Sequence, residues 1–318
     1  VIGTVKVSGT LILMHTQSAN GQANAYLWLG LVLAAHEVDG WGSDDIWIDD
    51  APLTDPKYSG LVTWWSRYGK PDQTAISEVV DAIADPEVWS NDHRGRGRAY
   101  IILRFAYSES VFGGSIPNVA VVLRGKKLLD PRTGLTTFSD NAALAVSDYL
   151  LSPSGFAVPT DDIDEDSWIA AANLADEPVA SVHAETGTVP RYSANGSYTL
   201  DQTPAAIIEN LLSASAGAAI NAGGTWYIEP AAWRPSNVVI TPDDLRGPIS
   251  LDENRPLRDL FNTVRSTYVR PEGNWQETDA PVLVDAAAKA RHGQEIATNL
   301  ELPFTTNGYI AQRLMKLA

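Results

Sequence analysis

The sequence predicts an α+β chain, strand-dominated and built from more than one domain. Three observations carry this. The chain has 318 residues, beyond the size at which one hydrophobic core keeps growing. Hydrophobic residues make up 44%, enough to fill packed cores. Short runs rich in Val, Ile, Leu and aromatics dominate both ends, while helix-period segments gather in the middle.

Taken in order, the first third reads as β. Thr4–Met14 (TVKVSGTLILM) and Tyr26–Ala34 (YLWLGLVLA) are apolar runs separated by Ser18-Ala19-Asn20-Gly21, which predicts a hairpin. Asp45–Asp50 (DIWIDD) alternates apolar and acidic residues, as a half-exposed strand does. Ala75, Ile76, Val79, Val80 and Ile83 have helical spacing. Tyr100–Tyr107 (YIILRFAY) and Val119–Leu123 (VAVVL) return to strand character, and Arg124-Gly125-Lys126-Lys127 makes a tight basic turn.

The middle third is mixed. Asn141–Leu151 predicts a helix capped by Ser139 or Asp140, with Pro153 beyond its end. Asp166–Leu174 predicts another. Asp201-Gln202-Thr203-Pro204 opens a third, with proline well placed in the first turn. Thr225–Glu229 (TWYIE) is a strand leaving the glycine turn Gly223-Gly224. In the last third, Ile249-Ser250-Leu251 and Leu260–Val269 read as strands, and Tyr309–Leu317 as an amphipathic helix. These shifts divide the chain into a β-barrel-like domain with a helical insert (1–135), an acidic mixed domain (136–250) and a second β-rich domain ending in a helix (251–318). Val1-Ile2-Gly3 is not a natural start, so the chain reads as part of a longer polypeptide.

No run of eighteen apolar residues exists to form a membrane-spanning helix. There is no cysteine, which removes disulfides, thiolate metal sites and Cys nucleophiles together. The formal charge is −16, and it is unevenly spread. Residues 1–135 carry 12 basic and 15 acidic side chains, residues 136–250 carry 3 and 15, and residues 251–318 carry 8 and 9. The acidic excess thus sits in the middle segment, which repels nucleic-acid phosphates.

Four features invite chemistry. Asp162, Asp164 and Asp166 alternate as calcium-loop ligands do, but Ser167 stands where the loop needs glycine and no glutamate closes it; a solvated loop whose last acid caps a helix at Ser167 is the plainer reading. His15, His36, His93, His183 and His292 are scattered, with no metal-ligand spacing. Ten tryptophans, Trp47, Trp64 and Trp65 foremost, would suit a secreted carbohydrate-binding or glycan-hydrolysing module, although their apolar setting fits core packing as well. Arg94-Gly95-Arg96-Gly97-Arg98 is a basic run that suits an inter-subunit salt bridge or a surface turn. No catalytic, metal or cofactor-binding residue is predicted; the expectation is a non-enzyme.

Several phrases in a fixed order resemble the tail-tip attachment family of long-tailed phages, the J-type host-specificity proteins and related hubs. Gly3-Thr4-Val5-Lys6-Val7-Ser8-Gly9 resembles an opening strand of that family. His36-Glu37-Val38-Asp39-Gly40 followed by Ile46-Trp47-Ile48-Asp49-Asp50 resembles a paired motif, and Tyr68-Gly69-Lys70-Pro71-Asp72-Gln73 a further one. Pro117-Asn118-Val119, Arg124-Gly125-Lys126-Lys127 and Asp130-Pro131-Arg132-Thr133-Gly134 follow in the family's order. So do Asn141-Ala142-Ala143-Leu144, Asp148-Tyr149-Leu150, Gly223-Gly224-Thr225-Trp226, Asp259–Val264 and Ala311-Gln312-Arg313-Leu314. The acidic stretch Pro159–Arg191 matches none of these phrases.

The resemblance implies a structural virion protein at the distal end of a phage tail, a baseplate hub. It would close the tail tube as a homotrimeric ring of β-barrel-like domains, imitating the tube's sixfold symmetry. Tube or distal tail proteins and the tape-measure protein would be partners, DNA would meet it only in transit, and receptor contacts would belong to domains absent from this chain. A gene-transfer particle would share the architecture. Arg124, Lys126, Lys127 and Arg132, with Arg94, Arg96 and Arg98, are the expected contacts with a neighbouring subunit or tail protein.

Overall fold

The computed structural model describes residues 1–181, 187–233, 235, 238–248, 256 and 259–318. They form two compact units: Val1–Asp148 with Ala194–Gln202, and Tyr149–Ser193 with Thr203–Ala318. His183 and the strand expected at Ile249-Ser250-Leu251 lie outside the described residues.

The first unit opens with Thr4–Val7 (β1), Thr10–Ala19 (β2) and Gln22–Ala34 (β3). β2 and β3 form the expected hairpin. Asn20 and Gly21 turn it with φ of 51° and 81°, the paired positive values of a type I′ turn. The first apolar run is not a single strand, however. Gly9 bends it at φ +71°, where a Cβ would lie 2.6 Å from the Val32 carbonyl oxygen. β1 therefore joins a different sheet from β2. Ile46–Ile48 (β4) and Ala51–Pro52 (β5) make a minimal hairpin over Asp49 and Asp50, both at positive φ. Val62–Tyr68 (β6), the helix Ser77–Ile83 (α1), Ala99–Ala106 (β7), the short helix Glu109–Phe112 (α2) and Val119–Arg124 (β8) follow. Lys127–Asp130 (β9) and Leu135–Phe138 (β10) add a second hairpin.

These strands build three layers. One antiparallel sheet runs β2-β3-β7-β6, the other β1-β8-β4-β5. Leu29, Leu31, Leu33, Ile101, Leu103 and Phe105 of the first sheet meet Ile46, Ile48, Val119, Val121 and Leu123 of the second in one core. The alternate residues, Trp28, Tyr100 and Ile102, face the other way and pack with Val79 and Ile83 of α1 and with Trp89. β7 is thus covered on both faces, which is why it reads as a nearly unbroken apolar run. Neither sheet closes on itself among the described residues. Four strands are too few for a barrel with a filled interior, so the expected barrel-like domain is an open sandwich.

The helix Ala142–Leu151 (α3) is buried from Ala142 to Ser147 and at Tyr149 and Leu150, consistent with its apolar composition on all sides. Its cap is Asn141, neither Ser139 nor Asp140. The Asn141 side-chain oxygen accepts from the amides of Ala143 at 3.0 Å and Leu144 at 3.2 Å, while the Ser139 hydroxyl accepts from Asn141 itself.

The second unit carries the helix Glu165–Asp176 (α4), the pair Pro178–Ala180 (β11) and Thr188–Pro190 (β12), and the helix Pro204–Ser213 (α5). Thr203 caps α5 with Pro204 in its first turn, as expected. Ala218–Ala222 (β13) and Thr225–Glu229 (β14) form a hairpin over Gly223-Gly224. A last sheet is centred on Thr263–Arg270 (β15), paired antiparallel with Gln276–Asp279 (β16) and Leu283–Val284 (β17). The helix Ala286–His292 (α6) then allows Ala297–Leu302 (β18) to return parallel to β15, since a parallel neighbour requires a crossover. The helix Gly308–Leu317 (α7), capped by Asn307, buries Ile310, Ala311, Leu314 and Met315. The fold is α+β with strands dominant, as the sequence predicts.

Leu103 lies at the centre of the first unit and is fully buried. Leu103→Ala is expected to cost about 2–5 kcal/mol, read as a lowered urea midpoint with an unchanged slope.

Candidate assembly surfaces

The basic turn between β8 and β9 is drawn into its own chain. Arg124 pairs with Asp39 at 2.8 Å and lays its guanidinium 4.3 Å from the centre of the Phe138 ring. Lys126 pairs with Asp148 at 2.8 Å and Lys127 with Glu37 at 3.3 Å. Arg132 bonds Asp130 through two nitrogens, with a shortest contact of 2.7 Å, and those bonds hold the Asp130 carboxyl below the usual carboxylate range. Burial pushes the Asp148 carboxyl up, and the adjacent Lys126 ammonium opposes that shift.

His36 lies among these groups. Its Nδ1 is 2.8 Å from the Glu37 carbonyl oxygen, and its Nε2 is 2.9 Å from the Val1 amine. Burial, the largest influence, lowers its pKa to about 4.

Arg94, Arg96 and Arg98 are presented differently. Gln73 is buried beneath their loop. Its side-chain oxygen accepts from the Gly69 amide at 3.0 Å, and its amide nitrogen donates to the carbonyls of Arg94 at 3.1 Å and Arg98 at 3.0 Å, and to that of Gly95 as well. Gly95 has φ +57°, and a Cβ there would come 2.6 Å from the Tyr100 ring, so the loop lies flat on a buried aromatic. Trp89, itself buried, stacks on His93 at 4.6 Å and meets Tyr100 edge-on. The backbone is therefore held from below while the three arginines stay exposed. Arg94 donates to the Asn91 carbonyl at 3.2 Å and reaches Asp92 only at 3.4 Å, between exposed groups. Arg96 donates to the Gln73 carbonyl at 3.4 Å.

A third surface is the rim of the β2-β3-β7-β6 sheet. β2 and β6 are its outer strands, and no strand flanks either among the described residues. On β2, Leu11, Ile12 and Met14 are 51%, 44% and 56% exposed. An apolar edge strand left open is a template for pairing with another chain. Sequence reading placed this run in a hairpin but did not single it out as an exposed edge. The signal was present: Leu11-Ile12-Leu13-Met14 is four apolar residues in a row, and a strand cannot point them all at one core.

The remaining candidates are engaged in the fold. Trp65 stacks on Trp28 at 5.5 Å, with the Arg104 guanidinium over both rings and over Tyr26. Trp64 packs against the sandwich core, and Trp47 lies under the Lys6 ammonium at 4.4 Å. In the acidic stretch it is Asp164, two residues before Asp166, that caps α4, accepting from the Ser167 amide at 2.8 Å. No cluster of three or more potential metal ligands occurs among the described residues.

No protein-family model matches the chain. Its sequence is 24% identical over 285 residues to the baseplate hub protein pb3 of Escherichia phage T5, an alignment covering 80% of this chain and 30% of that protein. The chain thus spans about a third of the length of this relative. Its fold is similar to that of a chain in the virion of a native gene transfer agent particle, with a TM-score of 0.58 and 19% identity over 99% of this chain and 71% of the other.

The geometry at His36 gives a pH signature. In the folded chain the ring stays neutral down to about pH 4, whereas in the unfolded chain it takes up a proton near its ordinary 6.5. Stability from this site is therefore complete above 6.5 and is lost as pH falls towards 4. His36→Gln is expected to flatten the dependence of the urea midpoint on pH across that window. An equally steep fall in the variant would contradict the assignment.

Proposed function

We propose that this chain is part of a structural virion protein, the central hub of a phage tail tip or baseplate, of the J-type kind or close to it. In this reading three copies close the distal end of the tail tube as a ring, hold the tape-measure protein and let DNA pass at host attachment. Tube or distal tail proteins are its neighbours, and receptor binding belongs to other parts of the assembly. The role is structural rather than catalytic. The same architecture would serve a gene-transfer particle.

The observation that carries the proposal is the open β2-β3-β7-β6 sheet, with a long hairpin whose apolar outer strand has no neighbour on its far edge among the described residues. A protein that works alone blunts such an edge, whereas a subunit of an assembly can pair through it. Similarity to a baseplate hub protein and to a virion chain supports a structural role in a phage tail or related particle. The net charge of −16 suits a passage along which a polyanion must slide without sticking. The three-module division at 135 and 250 enters this reading as a proposal about the intact hub.

The test is the symmetry of the assembled particle. Threefold copies around a channel at the distal tail end are expected in images of the virion, and a lone globule there would sink the reading. In solution, Leu11→Lys together with Met14→Lys is expected to lower oligomer formation at least about tenfold while leaving the unfolding midpoint of the subunit unchanged.

A further inference from the structure

We infer that the loop Arg94–Arg98 is a preformed docking prong whose occupant is the acidic segment 136–250 of a second copy of this chain. The inference rests on the proposed oligomeric hub and deepens it by naming which charges meet.

Three observations support it. The first is contrast between two groups of cations. Arg124, Lys126, Lys127 and Arg132 each have a carboxylate of their own chain within 3.3 Å. Among the described residues Arg94 pairs with Asp92, two residues away and highly exposed, at 3.4 Å, and its other bond, like that of Arg96, goes to a backbone carbonyl. The second is rigidity. Gln73 binds the loop through its carbonyls, and Gly95 seats it on Tyr100, so neither anchor involves a guanidinium. Ordering a loop on binding normally costs free energy, and here the backbone is already ordered. The anchors also place three planar, multidentate donors on one short segment, which is the chemistry that recognises carboxylates.

The third observation is where carboxylates are in excess. Residues 136–250 carry 15 acidic and 3 basic side chains, against near balance on either side, and only a few of the acids, such as Asp148 and Glu177, meet a cation of their own chain among the described residues. Asp161, Asp162, Glu165 and Asp166 within it are exposed. A segment so unbalanced repels itself, and in a ring of identical copies a neighbour's arginine prong relieves that repulsion. Such a contact is heterologous, prong to acidic face, and so repeats around an axis.

The experiment uses the protein at concentrations where it assembles. Arg94, Arg96 and Arg98 are replaced together by Gln, which leaves the carbonyls held by Gln73 in place. The subunit's unfolding midpoint is expected to stay unchanged while assembly affinity falls about tenfold or more; the affinity of the original protein should fall with added salt much more steeply than that of the variant. Separately, Arg98→Lys supplies an amine for a zero-length carbodiimide cross-linker, applied to a mixture of isotopically light and heavy copies. Links from the introduced amine of one copy to carboxylates within 136–250 of another support the inference. Assembly with undiminished affinity in the triple variant, or links from that amine confined to one copy or to other segments, overturns it and leaves the hub reading standing. A protein that stays monomeric both in solution and in the particle overturns both.

Discussion

Burial of β7 on both faces is the constraint from which the first unit follows. Ile101, Leu103 and Phe105 point into the sandwich, and Tyr100 and Ile102 point under α1. The same strand lies inside its sheet, flanked by β3 and β6, and β2 is left at the rim. At Arg104 the face meant for apolar residues carries a cation, and the chain meets it with the rings of Tyr26, Trp28 and Trp65. With both faces of the central strands occupied, whatever this unit offers another molecule is concentrated at its strand edges and loops.

The cations divide along the same line between internal and external use. Around the β8–β9 turn, each is close to a carboxylate, and the Asp148 and His36 titrations are displaced by the burial that accompanies these contacts. Such pairs contribute little to stability individually when exposed, but they fix how the turn leaves the sheet. The arginines over Gln73 have their backbone fixed instead, and their charge is left for other uses. A cluster of arginines is thus not one kind of feature; what holds the backbone decides what the side chains can do.

Much of this fold was legible because its elements carry plain local signals. The hairpin at Asn20-Gly21 and the proline-led helix after Thr203 carry their own turn or cap chemistry, the closing helix at Tyr309–Leu317 has one apolar face, and the strand at Tyr100–Tyr107 is apolar on both. The bend at Gly9 was hidden inside a continuous apolar run, where composition is the same on both sides of the break. β18 was missed because its alternation is mostly exposed, and α6 because Ala286-Ala287-Ala288 has no apolar stripe to mark it. At the candidate surfaces, the charges were readable but their partners were not: Lys126 and Asp148 are 22 residues apart, and Lys127 and Glu37 are 90. Gln73 stood within a recognisable phrase, yet its role as a clamp depends on carbonyls more than twenty residues downstream.

The first unit is discontinuous, and this has a consequence for how it is made. Its N-terminal strand is tied to residues just past the intervening stretch 149–193: Ile2 bridges Gly196, and the Thr4 amide donates to the Asn195 side chain across 191 positions. A ribosome delivers residues in order, so β1 emerges long before its anchor exists. The sandwich can collapse early from its sequence-local strands, but its final fastening waits until the intervening stretch has been translated, and closing so wide a span is intrinsically slow.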